Sequence, residues 1–323
     1  MSQTTITYLV FGGVLLLALI FDLGLLSKKN KTITIKKALW QTVFWVGLGM
    51  AFFGFVWFER GQVIAFEYLS GYLMEWSLSI DNIFVFILIF TSFGVKEKNY
   101  SRVLLIGIMM AVIFRVIFIT VGVALVEQFS WILYVFGIFL VYTGYKMFVE
   151  EQDEEFNPHD SKIYKFLKSF LPLVPHDGGG KYIVRNKNGR PSYTTLFVVV
   201  IMLAAIDLVF ALDSIPAVMG ISKDRMVIYT SNIFAVLGLR SLFFLLRGAV
   251  NKFDYLQQGI AIVLIFIGLK MLAEHYVNMY VNKNAQIFIS LGVILACIAG
   301  SIWYSATHDK KPITENATDP QKK

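Results

Sequence analysis

The sequence predicts an all-α membrane protein of about nine transmembrane helices, and three observations carry that reading. Of 323 residues, 57% are hydrophobic and 16% charged, against roughly 25% charged in an average soluble domain. The mean hydropathy of +0.65 is too high to be hidden inside one water-soluble core. The apolar residues also fall in runs long enough to cross a hydrocarbon layer of roughly 30 Å, which takes about 20 helical residues.

Taken in order, the first run is 6–26. It has no basic segment ahead of it and no small-residue cleavage site behind it, so it is expected to stay as a helix, with the mature chain starting at or near Met1. Asp22, near its inner end, is placed equally well at the interface or along a path through the membrane. Runs near 38–58 and 66–92 follow, and the latter carries Glu75 and Asp81. The runs near 103–126 and 131–149 contain Arg115 and Lys146. The connection 150–192 joins an acidic start (EEQDEE), an apolar patch (FLKSFLPLVP) and HDGGGKYIVRNKNGR. It reads either as a cytoplasmic loop with an interfacial amphipathic helix near 161–171 and a hairpin around Asn188 and Gly189, or as a solvated linker. Its acidic start is the kind of charge run that is usually solvated, in preference to a metal-sensing patch.

Runs resume near 193–220, 226–247, 255–274 and 285–305. They hold Asp207 and Asp213, Arg240, Lys270 and the lone Cys297 respectively, and one cysteine excludes an intrachain disulfide. The polar tail HDKKPITENATDPQKK is expected to be disordered.

The net charge of +7 does not indicate nucleic acid, because the basic residues lie in short segments between apolar runs and form no stripe. With the N-terminus outside, the inner segments hold 21 Lys and Arg and the outer ones hold four: Arg60, Lys223, Arg225 and Lys283. Cytoplasmic loops carry the basic excess, so the N-terminus is expected outside and the C-terminus in the cytoplasm. The other four basic residues, Arg115, Lys146, Arg240 and Lys270, fall inside predicted helices. Lys146 and Lys270 are close enough to helix ends to snorkel.

Glu75 and Asp81 recur 132 residues later as Asp207 and Asp213. SLSIDNIF (77–84) matches VFALDSIP (209–216), FRVIF (114–118) answers LRSLF (239–243), and TGYKM (143–147) answers IGLKM (267–271). Two three-helix units are implied, helices 3–5 and 6–8. An odd number of spans makes the second enter from the opposite side, an inverted repeat of the kind built around a midplane substrate site in secondary transporters. The alternative is a duplication kept for packing alone. The expected organisation is 1–65 for the first two helices, 66–149 for the first repeat, 150–192 for the loop, 193–275 for the second repeat, 276–306 for the last span and 307–323 for the tail.

Glu75, Asp81, Asp207 and Asp213 are costly in a bilayer, at about 2.5 kcal/mol or more each. Arg115 and Arg240 supply one cation per repeat, leaving two negative charges that a divalent cation would fill. Asn82, Ser77, Ser79 and Ser214 add oxygen donors, with no histidine or cysteine nearby. Such hard donors suit Mn²⁺, Ca²⁺ or Mg²⁺ as a transported ion, with no permanently bound cofactor. Six residues along a helix are about 9 Å and 120° apart, so Glu75 and Asp81 can share one ion only if the helix breaks. Pro216 offers a reason for a break in the second repeat.

GYLMEWSLSIDNIFVF (71–86), IDLVFALDSIPAV (206–218) and TSNIFAVLGLRSLFFLL (230–246) resemble the TerC/Alx family of membrane proteins, over nearly the whole chain. The resemblance implies a nine-span protein of the bacterial inner membrane. The family is named for tellurite resistance and associated with manganese efflux and metal supply to secreted proteins. By resemblance, Glu75, Asp81, Asn82, Asp207, Asp213 and Ser214 map onto the family's acidic motifs. Ala204 departs from the family's common glutamate three positions before Asp207, a difference that bears on affinity, coupling and transport itself.

These readings lead to a secondary transporter exporting Mn²⁺ or a similar hard divalent cation, in contact with the lipid bilayer and with no nucleic-acid partner. Release by protonation of the acids is a further expectation. The alternatives are a membrane scaffold that delivers metal to exported proteins, a tellurite-resistance component, or an exporter of a small organic cation. No nucleophile–base pair, cofactor motif or P-loop stands out, so an enzyme is not expected.

Overall fold

The computed structural model describes residues 3–26, 33–149, 158–185, 189–247 and 255–307. The EEQDEE segment and the C-terminal tail lie outside the described residues, as do the side chains of Asp22 and Asp81. The architecture is all-helical apart from one small hairpin. Each of the nine predicted runs is a helix: α1 (Gln3–Leu26), α2 (Ile35–Arg60), α3 (Gln62–Ser92), α4 (Glu97–Gln128), α5 (Ile132–Val149), α7 (Thr195–Ile221), α8 (Arg225–Leu246), α9 (Leu256–Leu272) and α11 (Lys283–Thr307). Seven are long and apolar enough to cross a membrane. An eighth span arises if α9 is taken with α10 (Glu274–Tyr280), from which it is bent by 80°. The apolar part of α1 is shorter, at residues 5–20.

Local chemistry sets several boundaries. Asp224 caps α8, its Oδ1 accepting from the Met226 N–H at 2.8 Å, so the chain re-enters a helix three residues after α7 ends. Gly61 and Gly94 take positive φ, 88° and 57°, in the tight α2–α3 and α3–α4 turns where only glycine does so without strain.

The chain does not break at its acidic motifs, which corrects the sequence expectation. α3 is continuous for 31 residues through Glu75 and Asp81, and α7 is continuous for 27 with Pro216 inside it. Pro216 is buried among neighbouring helices, the setting in which a transmembrane proline is tolerated. Along each unbroken helix the two acidic positions are therefore about 9 Å and 120° apart.

α8 lies at the centre of the molecule, 94% buried over its apolar window, and packs on α2, α3 and α4. α5 and α9 cross closely through small residues. A Cβ on Gly268 would sit 2.7 Å from the Gly137 carbonyl oxygen, and one on Gly144 would sit 2.7 Å from that of Ala261. At an offset of 124, Gly137 corresponds to Ala261 and Gly144 to Gly268, so the two contacts are the same contact with the helices exchanged. Residue numbers rise along one helix as they fall along the other, and α5 and α9 are antiparallel.

The long connection is folded where it is described. α6 (Lys162–Phe170) is capped by Ser161, whose Oγ accepts from the Tyr164 N–H at 3.2 Å. It buries Leu167 in the core cluster formed by α3, α4 and α7, while Phe166 and Phe170 are exposed. This is the amphipathic helix expected near 161–171. β1 (Ile183–Arg185) pairs antiparallel with β2 (Pro191–Tyr193), the hairpin expected around Gly189. Lys96 meets Asp177 at 3.1 Å, and this contact with the Gly179 N–H holds the Asp177 carboxyl below its ordinary range.

Candidate functional site

Arg115 of α4 is the hub of a buried ionic cluster. Its Nε donates to Asp207 Oδ2 at 2.7 Å and its Nη2 to Asp207 Oδ1 at 3.0 Å, a bidentate pair with α7. Its Nη1 donates to Glu75 Oε1 on α3 and to Asn232 Oδ1 on α8, the latter at 3.2 Å. Arg115, Glu75, Asp207 and Asn232 are each at most 1% exposed. Two carboxylates share one guanidinium, so the ionised cluster carries a net negative charge in a dry interior.

The helices supply these groups by simple periodicity. Tyr68, Tyr72, Glu75, Ser79 and Asn82 recur at alternating steps of four and three, one stripe of α3 turned toward the interior. Asp207, Ala211 and Ser214 form the matching stripe on α7. Ser214 stands beside the Glu75 carboxylate, yet neither its Oγ nor Glu75 Oε2 has a well-formed hydrogen bond among the described residues. The same is true of Ser79 Oγ and of both polar atoms of the buried Asn82. Buried polar groups are ordinarily satisfied, so a row of hard oxygen atoms without partners beside a carboxylate is chemically suited to a hard cation.

The predicted residues do not all converge. Asp213 is only partly buried and sits against Thr143 of α5 instead of the Arg115 cluster. Arg240 is buried on α8. Ser77 donates to the Leu73 carbonyl of its own helix at 2.8 Å, so its hydroxyl hydrogen is already engaged. Among the described residues no three histidine, cysteine, aspartate or glutamate side chains form a group that could hold a metal. The central donor set is two carboxylates with hydroxyl and amide oxygens around them.

Asn232 and Thr143 were not singled out from the sequence. The available signal was the same for both, a polar residue inside an otherwise apolar run. Lys270 donates to Ser290 of α11 at 3.1 Å. It lines a cavity of about 440 Å³ at the α7–α8 turn together with Glu67, Ser222 and Glu274. Lys146, by contrast, is exposed on α5.

A family model described as "Integral membrane protein TerC family" matches residues 60–312. The chain belongs to the TerC family. It is 38% identical over 303 residues to an uncharacterized membrane protein of Myxococcus xanthus, covering 94% of this chain and 92% of that one. It is 37% identical to a membrane protein of Rickettsia bellii, covering 92% of this chain and 98% of the relative. It is also 35% identical over 327 residues to Alx of Escherichia coli, covering 96% and 99% of the two chains. The name of that protein proposes a membrane-bound redox modulator. No solved structure matches.

Proposed function

We propose that this TerC-family protein is a secondary transporter that exports Mn²⁺, or a similar hard divalent cation, from the cytoplasm. The observation that carries the reading is the convergence of Glu75 and Asp207, from two different helices, on the single guanidinium of Arg115. Arg115 stays protonated at all relevant pH. It acts as a tethered cation that keeps the two acids compatible with burial until a divalent ion takes its place on one of them. Asp207 holds it by two hydrogen bonds and Glu75 by one, so Glu75 is the side that opens. Its ligands to the ion would be Glu75 with Ser214 and Ser79, hard oxygen donors, with Asn82 two turns farther along the same stripe of the unbroken helix. Asp81 and Asp213, the second acid of each motif, would receive or pass on the ion along the path.

The paired α5–α9 contacts and the antiparallel course of those helices support an inverted repeat of α3–α5 and α7–α9. In that arrangement the central cluster lies between the repeats, where alternating access requires the site to be. The basic excess of the inner loops supports an outside N-terminus and a cytoplasmic C-terminus, and the bacterial relatives support the plasma membrane. The relative with a redox-related name permits a second effect, altered metal supply to redox enzymes. One cysteine in this chain excludes an intrachain dithiol as its source.

The test is cell Mn²⁺, measured by elemental analysis in an efflux-deficient bacterial host under Mn²⁺ stress. Wild type should lower it, and Glu75→Gln at matched membrane levels should not. If wild type leaves cell Mn²⁺ unchanged, or Glu75→Gln lowers it equally, the proposal fails and the scaffold reading takes its place.

A further inference from the structure

Arg115 Nη1 carries two hydrogens and serves two acceptors, Glu75 Oε1 and Asn232 Oδ1. The orientation of the Asn232 amide is fixed from its other end, where Nδ2 donates to the Ile228 carbonyl at 2.9 Å. A flipped amide would face its NH₂ toward the guanidinium and its oxygen toward a carbonyl oxygen, two repulsive contacts in place of two hydrogen bonds. Asn232 is fully buried. The opposite edge of the guanidinium, Nε and Nη2, is held by both oxygens of Asp207. The end of Arg115 that can change partners is therefore Nη1.

We infer that Asn232 is a positioning residue that sets how readily Arg115 gives up Glu75, and thereby the affinity of the cluster for a divalent cation. The inference rests on the cation-site reading above. When an ion claims Glu75, Nη1 loses its charged acceptor but keeps the Asn232 oxygen. A buried charged donor left with no acceptor is far more costly than one that retains a neutral partner. Asn232 thus stabilises the state in which Glu75 is released, without itself touching the ion.

Two substitutions of similar size should move affinity in opposite directions. Asn232→Leu leaves Glu75 as the sole acceptor for Nη1, which tightens that pair and weakens ion binding. Asn232→Asp gives Nη1 a charged acceptor of the same shape, frees Glu75 and adds negative charge to the cluster, gains that outweigh the contact of its second oxygen with the Ile228 carbonyl and strengthen ion binding. A residue that merely packs α8 against α4 would be damaged by both.

The experiment is titration of the full chain in lipid nanodiscs with Mn²⁺, following the free aquo ion by electron paramagnetic resonance. Binding should weaken about tenfold in Asn232→Leu and strengthen about tenfold in Asn232→Asp, the scale of one hydrogen bond to a charged donor. Asn232→Ala, which removes the amide without adding an apolar branch, should weaken binding as Leu does and supplies the same comparison if the Leu variant does not fold. Shifts of the same sign in the Asp variant and the apolar variants, or no shift, would overturn the inference while leaving the cation site intact. A wild type that binds no Mn²⁺ would overturn both.

Discussion

Replacing Arg115 by methionine removes the only cation hydrogen-bonded to Glu75 and Asp207 among the described residues while keeping a long apolar side chain in its place. Both carboxylates are within 1% of complete burial, so neither can recover its hydration. Breaking a buried ion pair by deleting one partner costs about 3–5 kcal/mol, a large share of the roughly 5–15 kcal/mol that holds a typical protein folded. Arg115→Met should therefore unfold at markedly lower temperature or denaturant concentration in metal-free detergent solution, followed by tryptophan fluorescence. Mn²⁺ should then rescue the variant more than it stabilises wild type, because in the variant the ion has no guanidinium to displace. At an ion concentration one hundred times the dissociation constant, the gain is about 2.7 kcal/mol. Adding Asp207→Asn to Arg115→Met should recover part of the loss without metal, since one buried charge is gone. A single variant as stable as wild type without metal, or one that gains no more from Mn²⁺ than wild type does, would refute the reasoning.

Asp207→Asn should destabilise the metal-free protein more than Glu75→Gln by about 1.5–3 kcal/mol, since Asp207 makes two bonds to Arg115 and Glu75 makes one; equal unfolding midpoints would contradict that asymmetry. Asp213→Asn, at a partly buried site away from Arg115, should leave the melting temperature near wild type while reducing Mn²⁺ export in the cell assay. Gly144→Ala and Gly268→Ala should each cost about 1–3 kcal/mol in thermal unfolding, because the added methyl meets a backbone oxygen at 2.7 Å, whereas Gly54→Ala, with nothing within 4 Å, should be neutral or stabilising. The Asp177 carboxyl is held down by Lys96, so its contribution to the hairpin is present above the ordinary aspartate range and lost as pH falls through the lowered value. Protection of the Gly179 amide, taken relative to the intrinsic exchange rate at each pH, should fall there in wild type, and the Asp177→Asn protein should show no such step.

The helices were legible because a bilayer imposes one length scale on every span: all nine apolar runs are helices, and seven of them meet it outright. The acids were legible because a carboxylate is costly in such a run and calls for a cation, whether an arginine or a metal ion. Their arrangement was not, since the expectation of a broken helix came from requiring Glu75 and Asp81 to share one ion. The fold leaves α3 intact and brings Glu75 to Asp207 of another helix through Arg115 of a third. Such a three-helix meeting is a tertiary event with no local signature. Asn232 shows the same limit from the other side: a single amide barely changes the hydropathy of α8, and its importance appears only when Arg115 is seen to need a third acceptor. The distance of Lys270 from a helix end was legible, whereas its partner Ser290 comes from α11, which packs beside it.

The geometry of the cluster bears on how an inverted repeat would work here. Glu75 and Asp207 occupy equivalent positions of the two proposed repeats, so a two-fold axis relating the repeats passes between them. Arg115 belongs to the first repeat, with Arg240 as its counterpart in the second, and the one planar guanidinium of Arg115 cannot serve two equivalent carboxylates identically with its five donors. It takes Asp207 through two hydrogen bonds and Glu75 through one, and the remaining acceptor on that side is the neutral Asn232. The symmetry is thus broken at the centre, where an alternating-access device needs two unequal states. A tethered cation shared unequally between equivalent acids leaves one of them easier to open, and the easier one lies on α3 with the oxygens of Ser79 and Asn82, which have no partner among the described residues, on its own stripe. The cluster is suited to releasing an ion because the Arg115 guanidinium remains beside it to take the ion's place.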